Sequence, residues 1–120
     1  MDAHHTSWDD VPVEHLIPLL TRQAVRGEKM LVAKVKLHVG CHVNLHHHES
    51  EQTSVLISGV VKWTLGAEES PERRELLMKA GEVLVLPSNF PHGVDVIEDA
   101  EFIDILSPVG PMGVDSQSKA

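Results

Sequence analysis

The sequence is poor in aromatic residues and in cysteine. Only 3% of its 120 residues are Phe, Trp or Tyr, and Tyr is absent. A platform on which nucleic-acid bases stack, or a protein-binding surface built on aromatic anchors, is therefore not expected. The single cysteine, Cys41, excludes an internal disulfide and is typical of a reducing compartment. The expected location is the cytoplasm.

Basic residues and long apolar runs are also scarce. Lys and Arg together number 10 against 18 Asp and Glu, which gives a formal net charge of −8. This balance predicts no nucleic-acid partner and no anionic membrane partner. An anionic small molecule stays compatible with it, because a bound cation can reverse the local field. The sequence contains no run of 18 apolar residues and no recognisable signal peptide, so no membrane span is expected.

The pattern of apolar residues predicts a single all-β domain over residues 1–120, with a core of about 19–108 and flexible termini at 1–10 and 109–120. Turn signals that recur every 8–12 residues favour a sandwich or a barrel, and no segment has a helical period. The first strand is expected at an edge of the sheet. The predicted strands are residues 19–25, 30–39, 53–58, 60–65, 75–78, 83–86, 93–97 and 101–106.

The segment that carries the most chemistry holds two histidines two residues apart, His46 and His48. In a strand their side chains would face the same side, and Gln52 keeps the same parity. His92 follows a proline-flanked turn later in the chain. Three imidazoles and an amide oxygen are donors that several divalent transition metals accept. A solvated loop is the alternative interpretation, and Glu51 is a second oxygen donor if a bulge shifts the parity.

Asp104 and Arg22 are the other chemical candidates. Asp104 shares a strand face with Phe102 and Leu106, which predicts a buried carboxylate. Burial would raise its pKa and a nearby cation would lower it, and a perturbed carboxylate beside a pocket can act as a general acid or base. A structural carboxylate satisfied by the backbone or by Arg22 is the alternative. Arg22 could bind a substrate carboxylate or form a surface ion pair.

Two spaced motifs resemble those of the cupin superfamily, of the conserved-barrel type. The first is Gly40-x5-His46-x-His48-x3-Gln52-x6-Gly59, and the second is Gly81-x5-Pro87-x-Asn89-x2-His92, with Asn89 where glycine is more usual. The resemblance implies a small antiparallel β-barrel, the jelly roll or double-stranded β-helix. It also implies one divalent transition metal inside the barrel (Ni, Zn, Mn, Fe or Co). The ligands implied are His46, His48 and His92, with Gln52 at the position that Glu usually holds.

An amide at Gln52 has a chemical consequence. It leaves the full 2+ charge on the ion, which favours an anionic substrate and Lewis-acid chemistry over a 2-His-1-carboxylate iron oxygenase. The sequence is most similar to the small cupins of pectin and alginate breakdown, which convert unsaturated uronates to linear keto forms. The similar stretches are residues 21–25, 51–52, 86–92 and 103–108. Those proteins usually carry an arginine just after the Ser-Pro pair, where this chain has Val109 and Gly110.

Three functions follow from the resemblance. The first is a metal-dependent enzyme of carbohydrate metabolism that isomerises or ring-opens a small sugar-acid-like substrate, with Asp104 moving a proton. The second is a non-catalytic cupin that binds a metal or a small ligand. The third is a three-His cupin dioxygenase.

Association is expected as well. A homodimer is predicted, because edge strands of short barrels need cover and cupins commonly pair through them. Residues 19–25 are the expected contributor to that contact.

Overall fold

The computed structural model describes residues 2–117, and almost all of its regular structure is β-strand. A 3₁₀ turn at Trp8–Asp10 precedes the strands and a five-residue helix, α1, follows them. The strands are β1 (Glu14–Ile17), β2 (Leu20–Arg26), β3 (Leu31–Leu37), β4 (His42–His46), β5 (Glu51–Leu65), β6 (Arg74–Lys79), β7 (Val83–Leu86) and β8 (His92–Ser107), and α1 is Gly113–Gln117.

The strands form one antiparallel sheet built around the two longest strands, β5 and β8. The order along the sheet is β1-β2-β3-β8-β5-β6, while β4 pairs with β8 and β7 pairs with β5. Every pairing is antiparallel. The prediction of an all-β antiparallel barrel is confirmed.

Two of the predicted turns lie inside long strands instead. Residues 53–58 and 60–65 belong to the continuous strand β5, and residues 93–97 and 101–106 belong to β8. The register between these strands shifts between Ser58 and Val60. Gly59 has a φ of +91°, and a Cβ there would overlap the carbonyl oxygen of Asp99. The glycine therefore marks a bulge where two backbones approach closely, which bends the strands without ending them.

The edge of the sheet also differs from the prediction. β2 pairs with β3 on one side and with β1 on the other, where Glu14 lies opposite Arg22. The expectation that residues 19–25 form an edge strand is therefore wrong. Prolines at positions 12 and 18 flank β1 and made that segment resemble unpaired extended chain.

The chain after β8 was expected to be irregular, yet it contains α1. Helix propensity does not explain so short an element; packing of Met112 and Val114, both buried, holds it in place. No helix that the structure describes is long and apolar enough to cross a bilayer. Of the termini predicted to be flexible, residue 1 and residues 118–120 lie outside the described residues.

The core follows from strand alternation. In β3 the buried residues are Leu31, Ala33, Val35 and Leu37, which are every second residue and therefore share one face of the strand. Trp63 is buried in this core, and its indole N–H donates to Met78 Sδ at 3.1 Å. The polar side chains of the site enter this apolar interior from β4, β5 and β8.

We predict that the protein is a homodimer in solution. β1 covers the free side of β2, so a partner would meet β1 at this edge rather than residues 19–25. The backbone groups on the outer side of β1 form the unpaired row that native proteins usually cover. Light scattering at micromolar concentration should give about twice the chain mass of 13.2 kDa. A monomer mass under those conditions contradicts the prediction.

Candidate metal centre

Three histidines from different parts of the chain converge inside the barrel. His46 ends β4, His48 lies in the following loop, and His92 begins β8 opposite His46. Their ligand-capable atoms all lie within 4.8 Å of one another. The ring centroids of His46 and His92 are 4.2 Å apart, and those of His48 and His92 are 5.0 Å apart. Such a group could hold one metal ion.

Backbone carbonyls orient all three rings in the same way. Each Nδ1 contacts a carbonyl oxygen two residues away in sequence, and a carbonyl can only accept, so each Nδ1 carries the proton. Each Nε2 then keeps its lone pair, which is the arrangement of metal-ligating histidines. The three contacts are His46 with Asn44 at 2.7 Å, His48 with Ser50 at 2.9 Å and His92 with Phe90 at 2.8 Å.

Gln52 supplies an oxygen to the same point. Its side chain is buried on β5, and its Oε1 lies 3.1 Å from Nε2 of His48. Its amide nitrogen donates to Ser54 Oγ at 2.9 Å, which keeps Oε1 turned toward the histidines. Because the proton of His48 is on Nδ1, its Nε2 and the Oε1 of Gln52 are both acceptors. These two atoms repel each other unless a cation lies between them. The donor set therefore fits a divalent metal.

The residues meet for a different reason from the one that the sequence suggested. β4 ends at His46, residues 47–50 form a loop, and Gln52 belongs to β5. His46, His48 and Gln52 therefore do not share one strand, so strand parity is not what brings their side chains together. His46 is placed by pairing of β4 with β8, and Gln52 by pairing of β5 with β7 and β8. Glu51 is exposed and takes no part in the cluster.

Burial favours the neutral form of two of the histidines, His46 and His92. Burial lowers the pKa of His92 to about 4, against an opposing contribution from its hydrogen bond to the backbone of Phe90. Burial also lowers the pKa of His46. Nε2 of His92 is buried and has no hydrogen-bond partner among the described residues. An unpartnered buried lone pair is costly in a structural histidine and is what a metal ligand requires.

Asp104 lies on the inner face of β8, opposite Ser54 of β5 and Ala33 of β3. It is only 6% exposed, as its apolar neighbours predicted. Burial raises its pKa to about 7, although a hydrogen bond with the Ser54 side chain works in the other direction. Its Oδ1 is buried and has no partner among the described residues. The partner suggested as an alternative, Arg22, lies elsewhere, and Ser54 takes that place.

Arg22 is buried in an ion-pair cluster that the sequence did not reveal. Its guanidinium is bonded to Glu14 at 3.2 and 3.0 Å and to Asp115 at 2.9 and 2.9 Å. Burial by itself lowers the pKa of Arg22, but the hydrogen bonds and charges of Asp115 and Glu14 raise it above its ordinary value. Arg22 therefore does not form a surface ion pair. No sequence pattern connects it with Asp115, which lies 93 residues further along the chain.

The site opens into a cavity of about 50 Å³. The polar residues that line it are His46, His92, Gln52 and Asp104, and the tail contributes Met112 and Val114. Pockets for small ligands usually have roughly 300–1,000 Å³, and one water in the liquid takes about 30 Å³. The cavity in this conformation therefore accommodates an ion and water rather than a sugar.

The family comparison agrees with this geometry. A family model described as "Cupin domain" matches residues 33–106. The chain belongs to the cupin family. No curated protein sequence matches the chain.

Solved structures similar to this cupin share its fold. An RmlC-like cupin from Shewanella frigidimarina is 19% identical, with a TM-score of 0.79 over 90% of this chain and 93% of that one. KdgF from Halomonas sp. is 25% identical, with a TM-score of 0.71 over 85% of this chain and 92% of that one. Oxalate decarboxylase from Bacillus subtilis is 21% identical, with a TM-score of 0.71 over 86% of this chain but 29% of that one.

One departure from the cupin motif has a structural explanation. Asn89 replaces the more usual glycine and adopts a left-handed conformation with a φ of +61°. Asn tolerates this conformation better than most residues. Its backbone N–H donates to the carbonyl of His48 at 2.8 Å, which ties the second motif to the first. The substitution therefore preserves the turn that delivers His92.

Proposed function

We propose that this cupin holds one divalent transition metal through His46, His48, His92 and Gln52 and acts on a small sugar-acid-like substrate. The proposed reaction converts an unsaturated uronate to its linear keto form. The observation that carries the proposal is the convergence of three imidazoles, each with its proton fixed on Nδ1, on one point beside the Gln52 amide oxygen. The motif resemblance to the uronate cupins and the likeness to KdgF support the substrate class.

A metal bound there would supply Lewis acidity toward a carbonyl or enol oxygen of the substrate. Gln52 adds no negative charge to the donor set, which favours an anionic ligand. Apolar side chains, among them Trp63, Phe102 and Leu20, line much of the rest of the cavity. In such an apolar setting each polar contact is stronger than it would be at the surface.

Asp104 is the proposed proton donor. Opening of the ring breaks the bond between the anomeric carbon and the ring oxygen, and the proton of the anomeric hydroxyl moves to the ring oxygen, which gives an aldehyde and an enol. When that enol becomes a ketone, a carbon gains a proton from the donor and the enol oxygen releases one to solvent, from which the donor is reprotonated. The carboxyl of Asp104 lines the cavity, and its Oδ1 has no partner among the described residues. In the metal-free protein burial raises its pKa to about 7, and this burial favours the protonated form that can deliver a proton to carbon. The Ser54 hydroxyl holds the other side of the carboxyl group, which fixes its orientation.

The proposed function is tested with an unsaturated uronate and protein loaded separately with Ni, Zn, Mn, Fe and Co. Conversion to the keto form removes the carbon–carbon double bond conjugated with the carboxylate. Ultraviolet absorbance should therefore fall even when the assay contains no O₂. The metal-free protein serves as the blank. Loss of substrate only in the presence of O₂ would identify a dioxygenase instead. No conversion with any metal would leave a cupin that binds a metal or ligand without catalysis.

A further inference from the structure

The tail of the chain closes the mouth of the barrel. We call residues 111–117 the closing segment. Met112 and Val114 are 8% and 5% exposed and line the cavity. The backbone of Gly113 lies against the imidazole of His46 so closely that a Cβ on Gly113 would overlap the ring. The segment therefore forms one wall of the cavity and covers His46.

An ion pair ties the closing segment to the barrel. Asp115 accepts from the two terminal nitrogens of Arg22, each at 2.9 Å, and its Oδ2 also accepts from the backbone N–H of Met112 at 2.7 Å. Arg22 is 3% exposed, and its inward neighbours Leu20 and Val35 line the cavity. Arg22 itself does not line the cavity; it lies next to residues that do, and Asp115 of the segment contacts its guanidinium.

The two carboxylates on Arg22 are held differently. Glu14 belongs to β1 and lies directly opposite Arg22 in the sheet register. Asp115 belongs to a five-residue helix, which has little stability of its own. Upstream of the helix, the Ser50 hydroxyl donates to the carbonyl of Pro108 at 2.5 Å and anchors the chain there. A movement that separates Asp115 from Arg22 can therefore begin after Pro108 and leave β8 in place.

We infer that Arg22 is a carboxylate-binding residue and that a small carboxylate-bearing substrate displaces Asp115 from it, which releases the closing segment. A ligand carboxylate can reproduce the two parallel hydrogen bonds that Asp115 makes. Opening is required in any case, because the cavity of about 50 Å³ is too small for a six-carbon acid. The inference rests on the proposed function only in requiring that the substrate carry a carboxylate.

The test uses full-length, metal-loaded protein and two probes that differ in one group. Galacturonate carries a carboxylate, and galactose has the same ring without it. Hydrogen exchange of a peptide covering the closing segment should increase with galacturonate and stay unchanged with galactose. Unchanged exchange at saturating galacturonate, or no binding of galacturonate at all, overturns the inference.

Two variants distinguish displacement of Asp115 from the general effect of removing one negative charge beside Arg22. Asp115→Asn removes the competing carboxylate and should tighten galacturonate binding by up to about fivefold, the range for releasing one partly exposed ion pair. Its closing segment should exchange rapidly even without ligand. Glu14→Gln removes the same charge from the other side of Arg22 and should leave the segment protected. If Asp115→Asn binds galacturonate no more tightly than Glu14→Gln, the inference is wrong.

A third variant tests Arg22 directly. Arg22→Lys keeps the charge and loses the planar pair of donors, so galacturonate affinity should fall several-fold while galactose binding stays the same. Equal affinities for galacturonate in this variant and the parent contradict the role of Arg22. All these readouts are binding and exchange, so absence of turnover would refute the proposed reaction without touching this inference.

Discussion

Replacement of Asp104 by asparagine is expected to reduce turnover of an unsaturated uronate by roughly 10²–10⁴, the usual contribution of a general acid or base. Asparagine keeps the size and the hydrogen-bonding capacity of the side chain and removes the titrating proton. Metal content should be unchanged, because Asp104 lies outside the cluster of three histidines. Steady-state kinetics combined with elemental analysis of the same sample measure both quantities.

The pH dependence should follow the same group. Burial raises the pKa of Asp104 to about 7, so the protonated form that donates to carbon exists mainly below that pH. A bound cation lowers this pKa, so activity that depends on the proton should decline as the pH rises through a value below the one of about 7 that burial sets in the metal-free protein. The asparagine variant should lack this decline, which distinguishes a lost proton donor from a general loss of folding.

The stability of the metal-free protein provides a second check on Asp104. Between the usual pKa of an aspartate and about 7, the folded state keeps a proton that the unfolded state has lost. Ionisation of Asp104 therefore costs stability as the pH rises through this range. The melting temperature of Asp104→Asn at pH 8 should equal or exceed that of the parent.

A matched control for Asp104→Asn is available on the same strand, β8. Asp95 of β8 is partly exposed and lies 2.6 Å from Nδ1 of His42 at the surface. Asp95→Asn should retain turnover. Normal turnover in Asp104→Asn would mean that the proton comes from another group, and loss of metal or folding in that variant would mean that Asp104 is structural.

The parts of the fold that the sequence predicted well are those governed by local alternation. β3 has a clear apolar alternation, and Asp104 sits between two inward apolar residues of the same strand face. β7 has the predicted bounds, although Val83 and Val85 are exposed, which its uniformly apolar sequence did not predict. Burial in these segments follows from which side of the strand each residue occupies. The motif spacing also identified the residues of the candidate metal centre, although not the reason that they meet.

The parts that could not be predicted depend on contacts distant in sequence. A glycine inside a strand and a glycine at a turn look alike in sequence, so the bulge at Gly59 could not be distinguished from a chain reversal. The position of His48 depends on a loop whose course is set by hydrogen bonds to other segments. The Arg22–Asp115 pair joins β2 to the tail, and charge alone does not identify which of many acidic residues is the partner.

The second large expected effect is loss of the bound metal when two of its histidine ligands are replaced. The double variant His46→Ala/His48→Ala is expected to lose the bound ion, because two of the three converging imidazoles are removed and Gln52 and His92 remain as a pair. A transition metal in proteins usually needs three or four ligands for stable binding. Elemental analysis of the purified protein after dialysis should give about one metal per chain for the parent and almost none for the variant.

His47→Ala is the control that tests whether metal binding depends on the converging histidines or on any histidine in this segment. It lies between the two replaced residues in sequence, is exposed, and is not part of the cluster. His47→Ala should therefore keep full metal content, while the double variant should lose it.

Because burial lowers the pKa of His92 to about 4 and also lowers that of His46, protons compete poorly for these rings. The parent should hold its metal down to a more acidic pH than exposed histidines would allow, and full stoichiometry in the double variant would refute the ligand set.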